Sequence, residues 1–214
     1  MPRIKQKTAG NYHHGDLRQA LIEAALRTLE KQRAEDLSLR ALGRDLGVSP
    51  RAPYRHFETK EDLLAAVAVE GFRRFSTKLA QRLQGESESD SVAQLRAIAE
   101  TYVVFALEHP AAFRVMYAPY ATVRERAPEL LRARAEAHRS SQEVIARAQA
   151  AGQLREDDPM HLALVLWSSM HGLSVLITEG QLGRFDRPVD AAKLAHMVSG
   201  LILQGLLKHS RAID

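Results

Sequence analysis

Apolar residues recur every three to four positions along almost the whole chain, and no stretch alternates convincingly with a period of two. Leu17, Leu21, Ala24, Ala25 and Leu29 define a first amphipathic helix, with Asp16 placed to cap it. Leu39, Leu42 and Leu46 define a second, short one, opened by Ser38 and closed by Gly47, which can take the left-handed conformation. Ser49 and Pro50 read as the cap and first residue of a third helix over roughly 50–57. Thr59 caps a fourth, with Asp62 three residues on, and Leu63, Leu64, Val67, Phe72 and Phe75 carry it to about residue 83. The polar run GESESDS at 85–91 then breaks the pattern. Beyond it the spacing predicts helices over 91–108, 110–117 and 128–150, another from Pro159 to near Gly180, and a last from Pro188 to about 208. The expectation is an all-α protein without internal repeats.

The second and third helices, joined by Gly-Val-Ser, have the spacing of a helix-turn-helix. At about 100° per residue, Pro50, Pro53 and Phe57 fall on one side of the third helix, and Arg51, Ala52 and Arg55 on the other. The apolar side would dock on the first two helices. The opposite side offers two guanidinium forks flanking a small residue, a shape that can approach the major groove. Tyr54 and His56 lie on the two margins, facing the sugar-phosphate rims, and Lys60 opens the next helix, where backbone N–H groups also suit a phosphate.

Residues 17–64, through the strings LRQALIEAALRTLEK, LSLRALGRDLGVSP and above all YRHFETKEDLL, resemble the DNA-binding domain of TetR-type transcriptional regulators. The resemblance implies that Tyr54, His56, Thr59 and Lys60 contact phosphates, and that Arg40, Arg51 and Ala52 reach bases. Ser38, opening the preceding helix, is added to the phosphate set, and Arg55, on the groove side of the wheel, to the base set. Ala52-Pro53-Tyr54 departs from the family's commoner small residue, Thr or Leu, then Tyr, and this bears on how the recognition helix docks.

The resemblance also implies that the remainder is a helical domain that dimerises and holds a small-molecule effector. LWSSMHGL and HPAAFRVMY are similar to a subgroup carrying a Trp-x-x-x-His-Gly motif. Trp167 and His171 share one helix face at i and i+4. With Met170 and Ser174 they could wall a mostly apolar cavity with one polar tip, opposed by Phe105, His109, Phe113, Met116 and Tyr117; the same row also reads as plain core. The last two helices are apolar around more than half their girth, and Leu162, Leu166, Leu173, Val198, Leu201, Ile202, Gly205 and Leu206 are the expected dimer contacts. A twofold dimer would set two recognition helices about 34–36 Å apart and so call for a near-palindromic operator.

Charge sharpens this division. Residues 1–60 hold 12 Lys and Arg against 7 Asp and Glu, whereas residues 61–214 hold 18 against 19. A cationic front end suits a polyanionic partner. The basic stretch before residue 16, with His13 and His14, reads as an arm along DNA rather than a metal site. Glu and Arg between 124 and 147 read as a solvated face. Enzyme signatures are missing: there is no Cys, no Glu-x-x-His, no His-Glu-x-x-His, no G-x-S-x-G and no P-loop. Asp158 and His161 form an isolated pair in which Asp158 is better read as a cap. The apolar stretch 162–177 falls short of the ~20 residues of a membrane span.

The sequence thus predicts a basic arm (1–15), a helix-turn-helix DNA-binding domain (16–60) and, joined by a helix, a helical dimerisation and effector-binding domain (61–214). Such a chain would be a cytoplasmic, homodimeric, ligand-responsive repressor released by a small apolar or amphipathic effector, without metal, cofactor or membrane. A non-specific architectural DNA binder and a helical-bundle enzyme are the alternatives.

Overall fold

The computed structural model of the chain describes residues 14–118, 128–184 and 190–208. Residues 1–13 of the expected arm, the Glu and Arg at 124–126, and Pro188 lie outside these residues, whereas His14 and Gly15 fall in the first helix. Eight α-helices carry the described fold: α1 (His14–Leu29), α2 (Leu39–Asp45), α3 (Lys60–Leu83), α4 (Ser91–Glu108), α5 (Pro110–Met116), α6 (Pro128–Ala150), α7 (Pro159–Thr178) and α8 (Ala191–Leu206). Among the described residues the only β-type pairing is an isolated bridge, Leu154 with Leu207, which ties the end of α8 to the α6–α7 connection.

Local chemistry accounts for most of the boundaries. Ser38, Asp90, Asp158 and Asp190 each accept a backbone N–H from the first turn of their helix. Thr59 and Asp62 form a full capping box at the head of α3. Gly47, Gly152 and Gly180 stop α2, α6 and α7 at φ of 71°, 70° and 67°. Two starts differ from expectation. Helix α1 begins at His14, so Asp16 lies within it, not ahead of it. Helix α8 begins at Ala191, where Asp190 supplies the capping oxygen.

The largest correction concerns the third helix. Ala52–Arg55 form a short 3-10 helix, not an α-helix over 50–57. Pro53 has no N–H to give the Ser49 carbonyl, which accepts from Ala52 instead at 2.9 Å. The i+3 pattern continues with Tyr54 N–H to Arg51 O and His56 N–H to Pro53 O.

Helix α3 is the spine. Its 24 residues span about 36 Å, and it packs against α1, α4, α5 and α6. Leu63, Leu64, Val67, Phe72, Phe75 and Leu79 join its two ends into one continuous apolar cluster. Gly71 lets α5 lie close, since a Cβ there would stand 2.7 Å from Met116 Cγ. On the same helix Glu70, buried, accepts two 2.7 Å bonds from Arg73 and a third from Arg74, which also reaches Glu23 on α1. The Arg73 hydrogen bond outweighs burial and holds the Glu70 carboxyl below its ordinary value. A charged triad therefore fastens α1 to α3.

Helices α7 and α8 pack on α4 and on each other. The faces they turn inward are not those expected. Leu162, Leu166, Leu173 and Leu206 are 3%, 2%, 8% and 5% exposed, so they belong to the protomer's own core. Val198 and Ile202 are half-buried, and Gly205 is exposed. The outward face carries Leu201 at 63% exposure with Met160, Leu164, Val165, Leu176 and Met197. Length and composition alone would let α7 span a membrane, but the core helix of a soluble protein passes the same test.

Candidate nucleic-acid interface and effector cavity

The recognition turn is held from below. Pro53 is buried, and a Cβ on Gly43 would stand 2.9 Å from its Cγ and 3.2 Å from its Cδ. The proline ring thus lies against α2 backbone at a point where glycine alone fits without adjustment. Phe57 is buried beneath the turn, with the Arg18 guanidinium 5.4 Å over its ring. Fixed in this way, the turn exposes Arg51, Tyr54 and Arg55, and α2 exposes Arg40 and Arg44. These four arginines have no carboxylate partner among the described residues. Ala52 is half-buried between Arg51 and Pro53. Arg44, one turn beyond Arg40 on α2, belongs with the set; the i, i+4 spacing in LRALGRD was its signal.

The expected phosphate ligands are less uniform. Thr59 donates its hydroxyl to Asp62 Oδ2 at 2.8 Å and accepts the Asp62 N–H at 3.1 Å, so it serves as a cap and has no O–H left for a phosphate. Lys60 donates from Nζ to the Glu35 carbonyl at 2.7 Å, leaving two of its three N–H groups. Glu61 and Asp62 share the first turn of α3 with it, so the cationic side chain, not the helix end, is what can attract a phosphate there. Ser38 Oγ accepts the Ala41 N–H at 3.4 Å and keeps its own proton. His56 is half-buried in a groove of about 280 Å³ that it shares with Arg18, Asp62 and Leu130.

The second site is an aromatic cluster between α3, α4, α5, α6 and α7. Trp167 and His171 stack at 5.3 Å, and Tyr117 meets the His171 ring at 4.7 Å and Phe113 at 5.3 Å. Tyr102 Oη lies 2.9 Å from His171 Nδ1 and accepts the Trp167 Nε1–H at 3.2 Å. Burial drives the Tyr102 hydroxyl far above its ordinary value, so it keeps its proton. An indole nitrogen can only donate, so the Tyr102 oxygen is the acceptor there, and its own proton can pass to a neutral His171 Nδ1 or to the Tyr117 oxygen beside it. Burial, then Arg134, lowers His171 and fits this neutral form. Tyr117 Oη is buried beside the Tyr102 hydroxyl and the Trp167 indole N–H.

Two connected spaces open beside this cluster. An outer chamber of about 200 Å³ is bounded by Arg134, His138, Gln142, Met160, Leu164 and Trp167, among others. An inner cavity of about 30 Å³ shares His138, Ser141, Ala163 and Trp167 with it and is floored by Phe75, Ile98, Leu166 and Met170. Of the expected lining residues, Trp167 and Met170 reach this space. Phe113, Tyr117 and His171 form the shell behind it. Phe105 and His109 pack as tilted rings 5.0 Å apart, Met116 packs under Gly71, and Ser174 is spent on the Met170 carbonyl, and none of these four lines either chamber. Tyr102, Arg134 and His138 were missed. Their one sequence signal is the spacing of Arg134, His138 and Ser141 along one face of α6.

Comparison with known proteins identifies the two parts of the chain. Residues 21–67 match the profile of bacterial regulatory proteins of the tetR family, and residues 95–201 that of the tetracyclin repressor-like C-terminal domain. The HTH-type transcriptional regulator YobS of Bacillus subtilis is 24% identical over 197 residues, covering 90% of this chain and 94% of YobS. A solved protein of unknown function from Rhodococcus sp. RHA1 is 32% identical with a TM-score of 0.78, over 92% of this chain and 99% of that one. AibR, solved with isovaleryl coenzyme A and operator DNA, shares the fold at 17% identity and a TM-score of 0.63, over 89% of this chain and 98% of its own.

Two outcomes follow from this geometry. Gly43→Ala gains about 1 kcal/mol of helix propensity but overpacks a rigid ring, a cost of about 1–3 kcal/mol. Net destabilisation is expected in urea melts, with weaker DNA binding; a stabilised variant with intact binding would contradict the packing account. Burial first, then Arg134 and His171, pushes the His138 imidazolium from its ordinary 6.5 down to about 4. The unfolded chain therefore takes up this proton first. The resulting stability is full above pH 6.5 and declines as pH falls towards 4, by up to about 3 kcal/mol. Melting temperatures over that range should fall less steeply for His138→Leu than for the wild type; parallel curves would rule out this contribution.

Proposed function

The chain belongs to the tetR family of bacterial regulatory proteins, DNA-binding transcriptional regulators, and on that ground we propose how it reads DNA and how it is released. Arg40, Arg51 and Arg55, with Arg44 beside them, read base edges in the major groove, and Ala52 lets the turn approach closely. Tyr54, His56, Lys60 and Ser38 hold the phosphate rims, and residues 1–15 lie along the backbone. Residues 16–60 are the DNA-reading unit, and residues 61–214 dimerise and hold an effector. The observation that carries this reading is the set of exposed arginines without carboxylate partners on a turn locked by Pro53 against Gly43.

Dimerisation uses the outward face of α7 and α8, through Leu164, Val165, Leu176, Met197 and Leu201, with Gly205 on the same side. Covering such an apolar face with its own copy removes it from water and gives the twofold geometry that a near-palindromic operator requires. The protein works in the cytoplasm, beside the DNA that it regulates.

Release is a population shift. Helix α5 brings Phe113 to the aromatic shell, while Arg114 Nη2 donates to the Leu29 carbonyl at the end of α1 (3.3 Å) and Met116 lies on Gly71 of α3. A ligand that displaces the shell therefore moves α5 against both helices that carry the recognition turn. The two chambers together fall below the ~300 Å³ where drug-sized pockets begin, so the effector is small or opens the site as it enters.

The test is fluorescence anisotropy of DNA from upstream of the protein's own gene against a scrambled duplex at several salt concentrations. Arg51→Ala should cost about 1–3 kcal/mol and relax sequence preference, whereas Lys60→Ala should weaken both duplexes alike and lower the salt slope by about one. Equal wild-type affinity for both duplexes would favour the architectural alternative instead.

A further inference from the structure

The cavity system at the aromatic cluster differs in charge from every other groove described. The groove between the end of α1 and α5 sets Lys31, Arg33 and Arg114 beside Glu30, Glu35 and Glu179, that between α3 and α6 sets Arg73 and Arg132 beside Glu129 and Glu136, and that beside the recognition turn sets Arg18 beside Asp62 and Glu129. The outer and inner chambers are lined by no carboxylate at all. Their one permanent charge is a guanidinium. Arg134 is half-buried at the mouth, over the Tyr117 ring at 5.9 Å, and pairs with no carboxylate among the described residues. A partly desolvated cation without a counter-ion is unfavourable unless something else supplies one. Ser141, Gln142 and His138 add hydrogen-bonding groups beside it, whereas Phe75, Ile98 and Met170 make the far end apolar.

We propose that the effector is a small amphipathic anion, a carboxylate on an apolar chain or ring, whose charged end is held at the mouth by Arg134 and whose apolar end passes Trp167 towards the core. This rests on the effector reading given above and supplies the ligand's chemical class. The anion gives the guanidinium the charge-assisted, forked hydrogen bonding that no carboxylate among the described residues provides there. The apolar end needs more room than an inner cavity of about 30 Å³, which holds little beyond one water, so its entry must displace Trp167 and the rings stacked on it. Charge thus selects the ligand and apolar bulk works the switch. A neutral compound of the same shape enters less readily, and a small anion without a tail, such as acetate, binds the mouth without moving the shell.

The chain has one tryptophan, Trp167, and it lines both chambers, so its emission reports occupancy directly. The full-length protein is titrated with octanoate and octanamide, and with 4-phenylbutyrate and its amide. Each acid should bind at least ~10-fold more tightly than its amide, the range of a charge-assisted bond. Arg134→Gln should abolish that preference, and Arg134→Lys should keep part of it. Equal binding of acid and amide to the wild type would overturn the anion assignment and leave the effector cavity standing. An acid preference that survives Arg134→Gln would overturn the role of Arg134. No quenching by any of the four compounds up to about 1 mM would overturn the effector reading as well.

Discussion

One rigid helix serves both ends of this molecule. The head of α3 is fixed by the Thr59–Asp62 box directly after the recognition turn, and its middle and far half present Gly71 to α5 and Phe75 to the inner cavity. A helix cannot yield locally without breaking backbone hydrogen bonds, so a displacement at Phe75 or Gly71 is carried along the rod to its head. The Glu70–Arg73–Arg74 cluster with Glu23 makes α1 move with it. Sensing and DNA reading therefore share one mechanical element, and the charge asymmetry of the sequence follows the same division.

The two sites use arginine differently. On the recognition turn the guanidinium groups are exposed, and in the proposed reading their worth is realised when they meet base edges and phosphates. At the cavity mouth Arg134 is half-buried over an aromatic face, in a region where burial and that same charge hold two histidines neutral. A lower local dielectric makes its interaction with an entering anion stronger than an equivalent contact on the surface.

What the sequence disclosed follows the range of each interaction. Caps at Ser38, Thr59 and Asp158 and stops at Gly47, Gly152 and Gly180 are decided within a turn of chain, and they were legible. The α-helix expected over 50–57 was not found, because Pro53 withholds one N–H and its ring is accommodated by Gly43, ten residues earlier. On α7 the wheel revealed too much apolar girth for one face, but only packing on α4 decides that Leu162 and Leu166 turn inward while Leu164 and Val165 turn out. The cavity wall was half-legible. Trp167 and His171 announce themselves as a pair, whereas Tyr102 and Arg134 come from helices about 65 and 33 residues away in sequence, and α6 reads by composition as a solvated face.

The central claim is that occupancy of the cavity changes the separation of the two recognition turns. The chain contains no cysteine, so Glu58→Cys, at an exposed site beside the turn, accepts one spin label per protomer. Pulsed dipolar spectroscopy on the dimer, with and without 4-phenylbutyrate at a concentration that saturates Trp167 quenching, reads the label-to-label distance. The account predicts a shifted distribution under conditions that release operator DNA. An unchanged distribution while the operator is released would contradict it.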